Sequence, residues 1–169
     1  MLGRGYIQVY TGDGKGKTTA SLGLAFRAMG HGWKVLMIQF TKGHKEEDGS
    51  NYYGEIKSAS KHMKNLDVMQ FGLDRVPFAA NINLDDYKET RKGWQTAKNA
   101  INSGNYQLVI LDEINICVDL GLVKVSELKK MLMERPNNIE IVLTGRRAHP
   151  EIISMAHLVT EMKPVKHYF

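Results

Sequence analysis

Residues 11–19 form a glycine-rich segment, TGDGKGKTT, whose residue types suit the binding of a phosphate chain. Glycine permits positive φ, so successive backbone N–H groups can turn toward an anion. Lys17 supplies a positive charge for terminal phosphates, and the Thr18 hydroxyl is placed to bind Mg²⁺. The usual pattern, Gly-x-x-x-x-Gly-Lys-Thr/Ser, has glycine where this chain has Thr11. The alternative is a glycine-rich turn with an incidental lysine.

A pair of carboxylates, Asp112 and Glu113, follows the apolar run at 108–111. A carboxylate at the end of a buried strand can hold Mg²⁺ directly or through water. Alternatively, Asp112 caps the next helix, which is a common use of aspartate. The phosphate loop upstream favours the metal role. The spacing leaves open which of the two is the direct ligand.

A basic segment, GRRAHP at 145–150, follows a strand pattern at 139–144. Residues just past the carboxyl ends of parallel strands line the ligand crevice, so Arg146 or Arg147 is a candidate phosphate contact. The alternative is a solvated basic loop. We interpret His149, which precedes Pro150, as a structural residue.

Strand and helix patterns alternate along the chain, which predicts an α/β fold with a mostly parallel central sheet flanked by helices. We expect a single domain spanning residues 1–169. In the helix predicted at 84–102, Tyr87, Trp94, Ala97 and Ile101 share one stripe. The helix predicted at 18–29 is apolar almost all round, as expected of a central helix. Strands are predicted at 6–10, 35–40, 66–71, 107–111, 139–144 and 158–162, and further helices at 54–64, 125–132 and 150–155.

Composition excludes several classes of protein. The chain is 43% apolar and 24% charged, which is ordinary for a globular protein. Its one cysteine excludes an intramolecular disulfide and a multi-cysteine zinc site. No apolar run approaches the roughly 20 residues of a membrane span, and the N-terminus has no signal core, so we expect a cytoplasmic location and no membrane partner. The net charge of +5 without a dense basic tract favours a phosphate-rich ligand over nucleic acid.

Five segments together carry a resemblance to one family. The chain resembles the P-loop corrinoid adenosyltransferases, which make adenosylcobalamin from ATP and a reduced corrinoid. The resemblance extends over nearly the whole sequence, and the TGRRAHP and KPVKH blocks make it specific. The segments are TGDGKGKTT at 11–19, QFTKG at 39–43, LDEIN at 111–115, TGRRAHP at 144–150 and EMKPVKH at 161–167.

The resemblance implies a RecA-like P-loop fold, a homodimer, Mg²⁺ or Mn²⁺, and a flavin reductase as a transient partner. The implied reaction transfers the 5′-deoxyadenosyl group of ATP to the cobalt(I) of a corrinoid and releases triphosphate. Lys17, Thr18 and Glu113 would be catalytic, and Thr18, Asp112 and Glu113 would serve the metal. Arg146 would contact phosphate. The residues expected to cradle the triphosphate are Gly12, Asp13, Gly14, Lys15, Gly16, Lys17, Thr18 and Thr19.

The irregular segment at 72–83 is predicted to form a mobile lid over the corrinoid. The family places aromatic residues there, including a tryptophan that this sequence lacks. The carry-over is therefore to the region, and which aromatic displaces the axial ligand of cobalt(II) stays open. Phe78 is the candidate for this role in corrinoid binding, the alternative being an ordinary core aromatic, and we interpret Phe71 as a core aromatic. Members often carry an N-terminal extension before the first strand and continue past the lysine-histidine block, so we expect a shorter or differently built corrinoid cover here.

Two other functions fit the same phosphate loop. A small-molecule kinase or ATPase needs a base or a positioned water near the γ-phosphate, and Glu113 could serve as that base. A non-catalytic ATP-dependent switch would use polar loops such as 41–51. The preferred corrinoid, and the choice between synthesis and salvage, stay open.

Overall fold

The computed structural model describes residues 3–77 and 79–168, and it forms a parallel sheet with helices on both faces. The strand order is β3-β2-β4-β5-β1-β6, and every neighbouring pair is parallel. The strands are β1 (Ile7–Thr11), β2 (Val35–Gln39), β3 (Leu66–Gln70), β4 (Leu108–Asp112), β5 (Glu140–Thr144) and β6 (Leu158–Glu161). The helices are α1 (Lys17–Gly30), α2 (Gly54–His62), α3 (Leu84–Asn102), α4 (Ile114–Asp119), α5 (Val125–Glu134) and α6 (Pro150–Met155), with a 3₁₀ turn at Ala79–Asn81.

The predicted α/β fold with a parallel sheet is confirmed, and each predicted strand lies within one residue of its observed bounds. One helix was not predicted, α4. It has only six residues, and it begins after Glu113, whose φ is 63° and whose side chain makes no capping hydrogen bond. The start signal that sequence reasoning relies on is therefore missing.

Two predicted helix faces need correction. On α3, Trp94, Ala97 and Ile101 are buried as expected, but Tyr87 is 42% exposed. The buried stripe begins instead at Asp86 and Thr90, because the Asp86 carboxylate is held by Asn83 and Arg75. On α1 only one face is buried, through small residues that let the helix approach the sheet closely, and Phe26 is 67% exposed.

The central strands alternate side chains between two apolar layers. Leu36, Val109 and Ile141 face the layer covered by α3, α5 and α6, whereas Met37 and Ile110 face the layer covered by α1 and α2. All five residues of β2, β4 and β5 are buried, which explains their continuous apolar runs. No helix in the described part of the chain combines the length and apolarity that crossing a bilayer requires.

Four loops meet at the carboxyl edge of this sheet. They follow β1, β2, β4 and β5, which are neighbours in the sheet although they are far apart in sequence. Three residues other than glycine adopt positive φ in these loops: Thr41 at 56°, Glu113 at 63° and Arg147 at 53°. Such conformations cost free energy and persist where surrounding packing enforces them, often at functional sites.

The segment before α3 is anchored at the helix start. Asn83 Oδ1 accepts hydrogen bonds from the backbone N–H groups of Asp85 and Asp86 at 2.9 and 3.4 Å. Asp86 Oδ2 accepts from the Asn83 N–H at 2.9 Å, which completes a capping box. The Asp86 carboxylate also pairs with Arg75, so the irregular segment is tied to α3.

We predict that Asn83→Ala lowers the free energy of unfolding by about 1 kcal/mol, because the first turn of α3 loses its side-chain acceptor. Asn83→Asp keeps an acceptor oxygen and should stay close to the wild type. Urea denaturation of the three proteins measures the difference. Equal losses in both variants would show that the cap contributes nothing specific.

Candidate functional site

The phosphate loop wraps around the side chain of its own lysine. Lys17 Nζ donates hydrogen bonds to the carbonyl oxygens of Gly12 and Gly14 at 2.7 and 2.8 Å. Lys17 is 8% exposed, and this burial lowers its pKa. Gly16, at φ 115°, precedes α1 and has no side chain with which to cap it. The start of α1 therefore presents N–H groups and a positive dipole end to an anion.

The loop glycines are required for different reasons. A Cβ on Gly12 or Gly14 would lie 2.5 or 2.8 Å from the carbonyl oxygen of Met162. The Gly14 N–H donates to that same oxygen at 2.7 Å, so the end of β6 packs directly on the loop. Gly16 has free space around its Cβ position, and only its positive φ requires glycine. The sequence predicts glycines for the approach of an anion, and the structure adds the close packing of Met162.

Asp112 lies at the centre of the site and is fully buried. Its Oδ1 accepts from the hydroxyls of Thr18 at 2.9 Å and Thr144 at 2.6 Å. Its Oδ2 accepts from Lys42 Nζ at 2.6 Å and from Gln39 Nε2 at 3.2 Å. The structure therefore brings the predicted pair Thr18 and Asp112 together. The carboxylate faces the phosphate loop and does not cap α4.

The donor atoms fit a hard cation. A hydroxyl and a carboxylate oxygen are the ligands that Mg²⁺ prefers, and Mg²⁺ usually takes few protein ligands beside waters and phosphates. In residues 3–77 and 79–168, no three His, Cys, Asp or Glu side chains gather into a metal cage. The Thr18–Asp112 pair thus suits a metal that shares its shell with a nucleotide.

Glu113 lines a cavity next to the Asp112 cluster. Its Oε2 lies 3.2 Å from the position that a Cβ on Gly145 would occupy. Burial and the charge of Asp112 raise the pKa of Glu113, while Lys42, Lys17 and Arg146 oppose that rise. Glu113 therefore faces the same space as the cations of the site.

The two arginines that follow β5 have different partners. Arg146 extends toward the phosphate loop, where its guanidinium lies 3.9 Å from the carboxylate of Asp13. Arg147 pairs with Asp119 of α4 at 3.0 Å. The geometry favours Arg146 as the residue that can reach a phosphate. Its loop is joined to β1 because the Ala148 N–H donates to Thr11 Oγ1 at 3.1 Å.

Other predicted residues take peripheral positions. Lys15 donates to the hydroxyl of Tyr168, so Tyr168 lies against the exposed tip of the phosphate loop. Thr19 is exposed on the first turn of α1. His149 accepts from the Glu151 N–H at 3.3 Å at the start of α6, which confirms its structural role. Phe71 packs partly buried against the core, as predicted, whereas Phe78 lies outside the described residues.

A cavity of about 400 Å³ opens beside Glu113 and Arg146. It lies between the loop after β2, the segment before α3, and α4. Its walls combine charged groups with apolar side chains, so it suits a large ligand that has both kinds of surface. The apolar lining includes Val76, Pro77, Ile116 and Leu120.

Sequence reasoning missed Lys42, Thr144 and Gln39 as contacts of Asp112. Lys42 is 15% exposed at its side chain, and burial disfavours its charge, but Asp112 together with Glu113 and Glu55 outweighs this and raises its pKa. The sequence offered one signal for these contacts. Lys42 comes shortly after the apolar strand β2, and Thr144 ends the apolar strand β5 as Asp112 ends β4. Their convergence depends on β2, β4 and β5 being neighbours.

Comparison with known proteins decides the family. Residues 3–169 match the sequence model of a family described as ATP:corrinoid adenosyltransferase BtuR/CobO/CobP. The chain belongs to this family. The resemblance noted in the sequence is thus confirmed, and with it the enzyme class of an ATP-dependent corrinoid adenosyltransferase.

Three relatives illustrate the extent of the match. The chain is 37% identical to the corrinoid adenosyltransferase of Escherichia coli K12 over 98% of this chain and 80% of that protein. It is 34% identical to the corrinoid adenosyltransferase CobA of Salmonella typhimurium, with the same coverage of 98% and 80%. It is 38% identical to an uncharacterized protein of Nostoc over 96% of this chain, and it spans 45% of the length of that protein.

We predict that Lys17→Ala weakens ATP binding by roughly ten- to a hundredfold, because one charge-assisted contact contributes about 1.5–3 kcal/mol. Calorimetric titration with ATP measures the loss. Lys61→Ala, a surface variant on α2, should bind ATP like the wild type. Unchanged affinity in Lys17→Ala would contradict the phosphate-loop assignment.

Proposed function

We propose that this corrinoid adenosyltransferase transfers the 5′-deoxyadenosyl group of ATP to the cobalt(I) of a corrinoid, cobalamin or a precursor, and releases triphosphate. One observation carries the proposal: Thr18 and Asp112 join at 2.9 Å beside the buried Lys17, and this cluster borders a partly apolar cavity. The cluster suits the polyphosphate, and the cavity suits the second substrate.

The loop residues bind the triphosphate. The Lys17 ammonium can release the carbonyl oxygens of Gly12 and Gly14 and bind phosphate oxygens instead. A charged phosphate oxygen is a stronger acceptor for an ammonium than a neutral carbonyl oxygen. The N–H groups at the start of α1 face the same space. Arg146 adds a second cation once it leaves Asp13, from which it is separated by 3.9 Å in an exposed pair.

Thr18 and Asp112 would hold Mg²⁺ or Mn²⁺, with Glu113 as the outer carboxylate. The metal, when bound, neutralises phosphate charge. The buried Thr144 hydroxyl donates to Asp112 Oδ1 at 2.6 Å and orients the carboxylate. Orientation of this kind fixes a ligand before the metal arrives, which supports metal affinity.

In this reaction the protein has to position the two substrates and stabilise the charge of the leaving triphosphate. The cobalt(I) of the corrinoid supplies the electron pair that forms the bond to C5′, the C5′–O bond breaks, and its electron pair leaves with triphosphate. The protein therefore needs no nucleophile of its own. Lys17, Arg146 and the loop N–H groups stabilise the leaving polyanion, which is an electrostatic form of catalysis.

The cavity beside Glu113 supports the corrinoid assignment. Its apolar wall from Val76, Pro77, Ile116 and Leu120 can cover a macrocycle, while the charged wall faces the nucleotide. The segment that contributes Val76 and Pro77 also contains Phe78. The role of Phe78 as the side chain that displaces the axial ligand stays a prediction.

The resemblance also supports a homodimer, a transient flavin reductase partner and a cytoplasmic location, and these stay predictions. A single domain is supported by the family match over residues 3–169.

The competing phosphoryl-transfer reaction has one supporting observation: Glu113 faces the cavity with a raised pKa, as a general base would.

We predict that the inorganic product is intact triphosphate, formed in equal amount with the adenosylated corrinoid. The site holds abundant positive charge for a leaving polyanion. Phosphorus NMR of a reaction with ATP and chemically reduced cobalamin measures the products, and Lys17→Ala is the low-activity control. If ADP and phosphate form and no adenosylated corrinoid accompanies them, phosphoryl transfer is the correct reaction.

We predict that Phe78→Ala slows adenosylation of cobalt(II) substrate under mild reductant much more than adenosylation of pre-reduced cobalt(I). Removal of an axial ligand eases only the reduction step, so the two assays should diverge. Phe26→Ala, an exposed aromatic on α1, is the control. Equal losses in both assays would assign Phe78 to packing or to general binding.

A further inference from the structure

Lys42 binds both residues that we assign to the metal. Its Nζ lies 2.6 Å from Asp112 Oδ2 and 3.3 Å from Thr18 Oγ1. The other carboxylate oxygen, Oδ1, already accepts from Thr18 and Thr144. The ammonium therefore lies between the Thr18 hydroxyl and Asp112 Oδ2, an oxygen that also accepts from Gln39 Nε2 at 3.2 Å.

The backbone holds Lys42 in this position. The Lys42 N–H donates to the Phe71 carbonyl at 3.3 Å, and its own carbonyl accepts from Gln70 Nε2 at 2.9 Å. Thr41 adopts a φ of 56° just before it. A Cβ on Gly43 would lie 2.1 Å from the Gly72 carbonyl oxygen, so the turn is packed closely on the next loop. The contact with Asp112 is therefore part of a built turn.

A divalent cation and an ammonium cannot both contact Asp112 Oδ2 at bonding distance, because like charges in a buried site repel strongly. Lys42 also lines the cavity beside Glu113 and Arg146, so its flexible side chain has space to leave Asp112. The oxygens of a triphosphate bound on the phosphate loop would offer the ammonium a charge-assisted partner to replace Asp112.

We propose that Lys42 is a positioning residue that competes with the divalent metal for the Thr18–Asp112 pair, so that the metal binds well only together with ATP. The inference rests on the proposed metal role of Thr18 and Asp112. By linkage, a lysine that yields to phosphate makes metal binding and ATP binding mutually cooperative. Removal of the ammonium should strengthen metal binding in the absence of nucleotide and weaken that cooperativity.

The test is titration of nucleotide-free protein with Mn²⁺, followed by electron paramagnetic resonance of the free ion. Lys42→Met should bind Mn²⁺ at least tenfold more tightly than the wild type, and Lys42→Gln, which keeps a hydrogen-bond donor for Asp112, should do the same. Lys42→Arg keeps a cation and should bind as weakly as the wild type. The matched control is Lys45→Met, since Lys45 lies in the same loop and contacts Asn51. It should change nothing.

A second titration separates failure of this inference from failure of the metal assignment. With ATP present, Asp112→Asn should weaken Mn²⁺ binding at least tenfold. Circular dichroism first checks that Lys42→Met and Lys42→Gln are folded. If Asp112→Asn has this effect, but the two folded Lys42 variants bind Mn²⁺ without nucleotide no more tightly than the wild type, the proposed competition between Lys42 and the metal is wrong. If Asp112→Asn has no effect with ATP, the metal assignment itself is wrong, and the inference falls with it.

Discussion

The buried carboxylate of Asp112 is the group on which the geometry of this site depends. A charged carboxylate without partners costs several kcal/mol to bury, so the fold must supply donors to it. Three parts of the fold do so, through Thr18 in the first turn of α1, Lys42 in the loop after β2 and Thr144 at the end of β5. Because each partner belongs to a different strand connection, satisfying one carboxylate also fixes the relative positions of the phosphate loop and its neighbours.

The cations of the site each have a partner within the protein. Lys17 binds loop carbonyls, Lys42 binds Asp112, and Arg146 lies near Asp13. A polyphosphate must replace these contacts, so the affinity for ATP is the difference between two sets of interactions. The neutral carbonyls and the exposed Asp13 are the easier partners to replace, whereas Asp112 is a buried charge that needs another cation when Lys42 leaves. The divalent metal that we propose to bind together with the nucleotide would be such a cation.

Backbone strain and close packing are concentrated at the same edge of the sheet. Thr41, Glu113 and Arg147 all adopt positive φ there, and Gly12 and Gly14 are packed against the Met162 backbone. The rigid core beneath, in which β2, β4 and β5 are buried along their whole length, provides the packing that maintains these conformations. The site is therefore held in place before a ligand binds, and this lowers the cost of binding.

The sequence alone determined the features that depend on near neighbours in the chain. The alternation of elements and the bounds of α3 follow from local periodicity and turn residues, and the roles that we propose for Lys17 and Thr18 follow from motif spacing. The corrinoid family followed from the order of five short segments. The short helix α4 was not predicted. Six residues are too few to show a periodic face, and Glu113, which precedes the helix at positive φ, gives no capping signal.

Only the tertiary structure decided which residues meet Asp112. Lys42 lies 70 residues away from it in the chain and Thr18 lies 94 residues away. Their approach depends on the strand order β3-β2-β4-β5-β1-β6, which places β2 and β5 on the two sides of β4. That order is set by the packing of whole apolar layers. No local pattern encodes it, since β2, β4 and β5 are each buried along their whole length and read alike wherever they lie in the sheet.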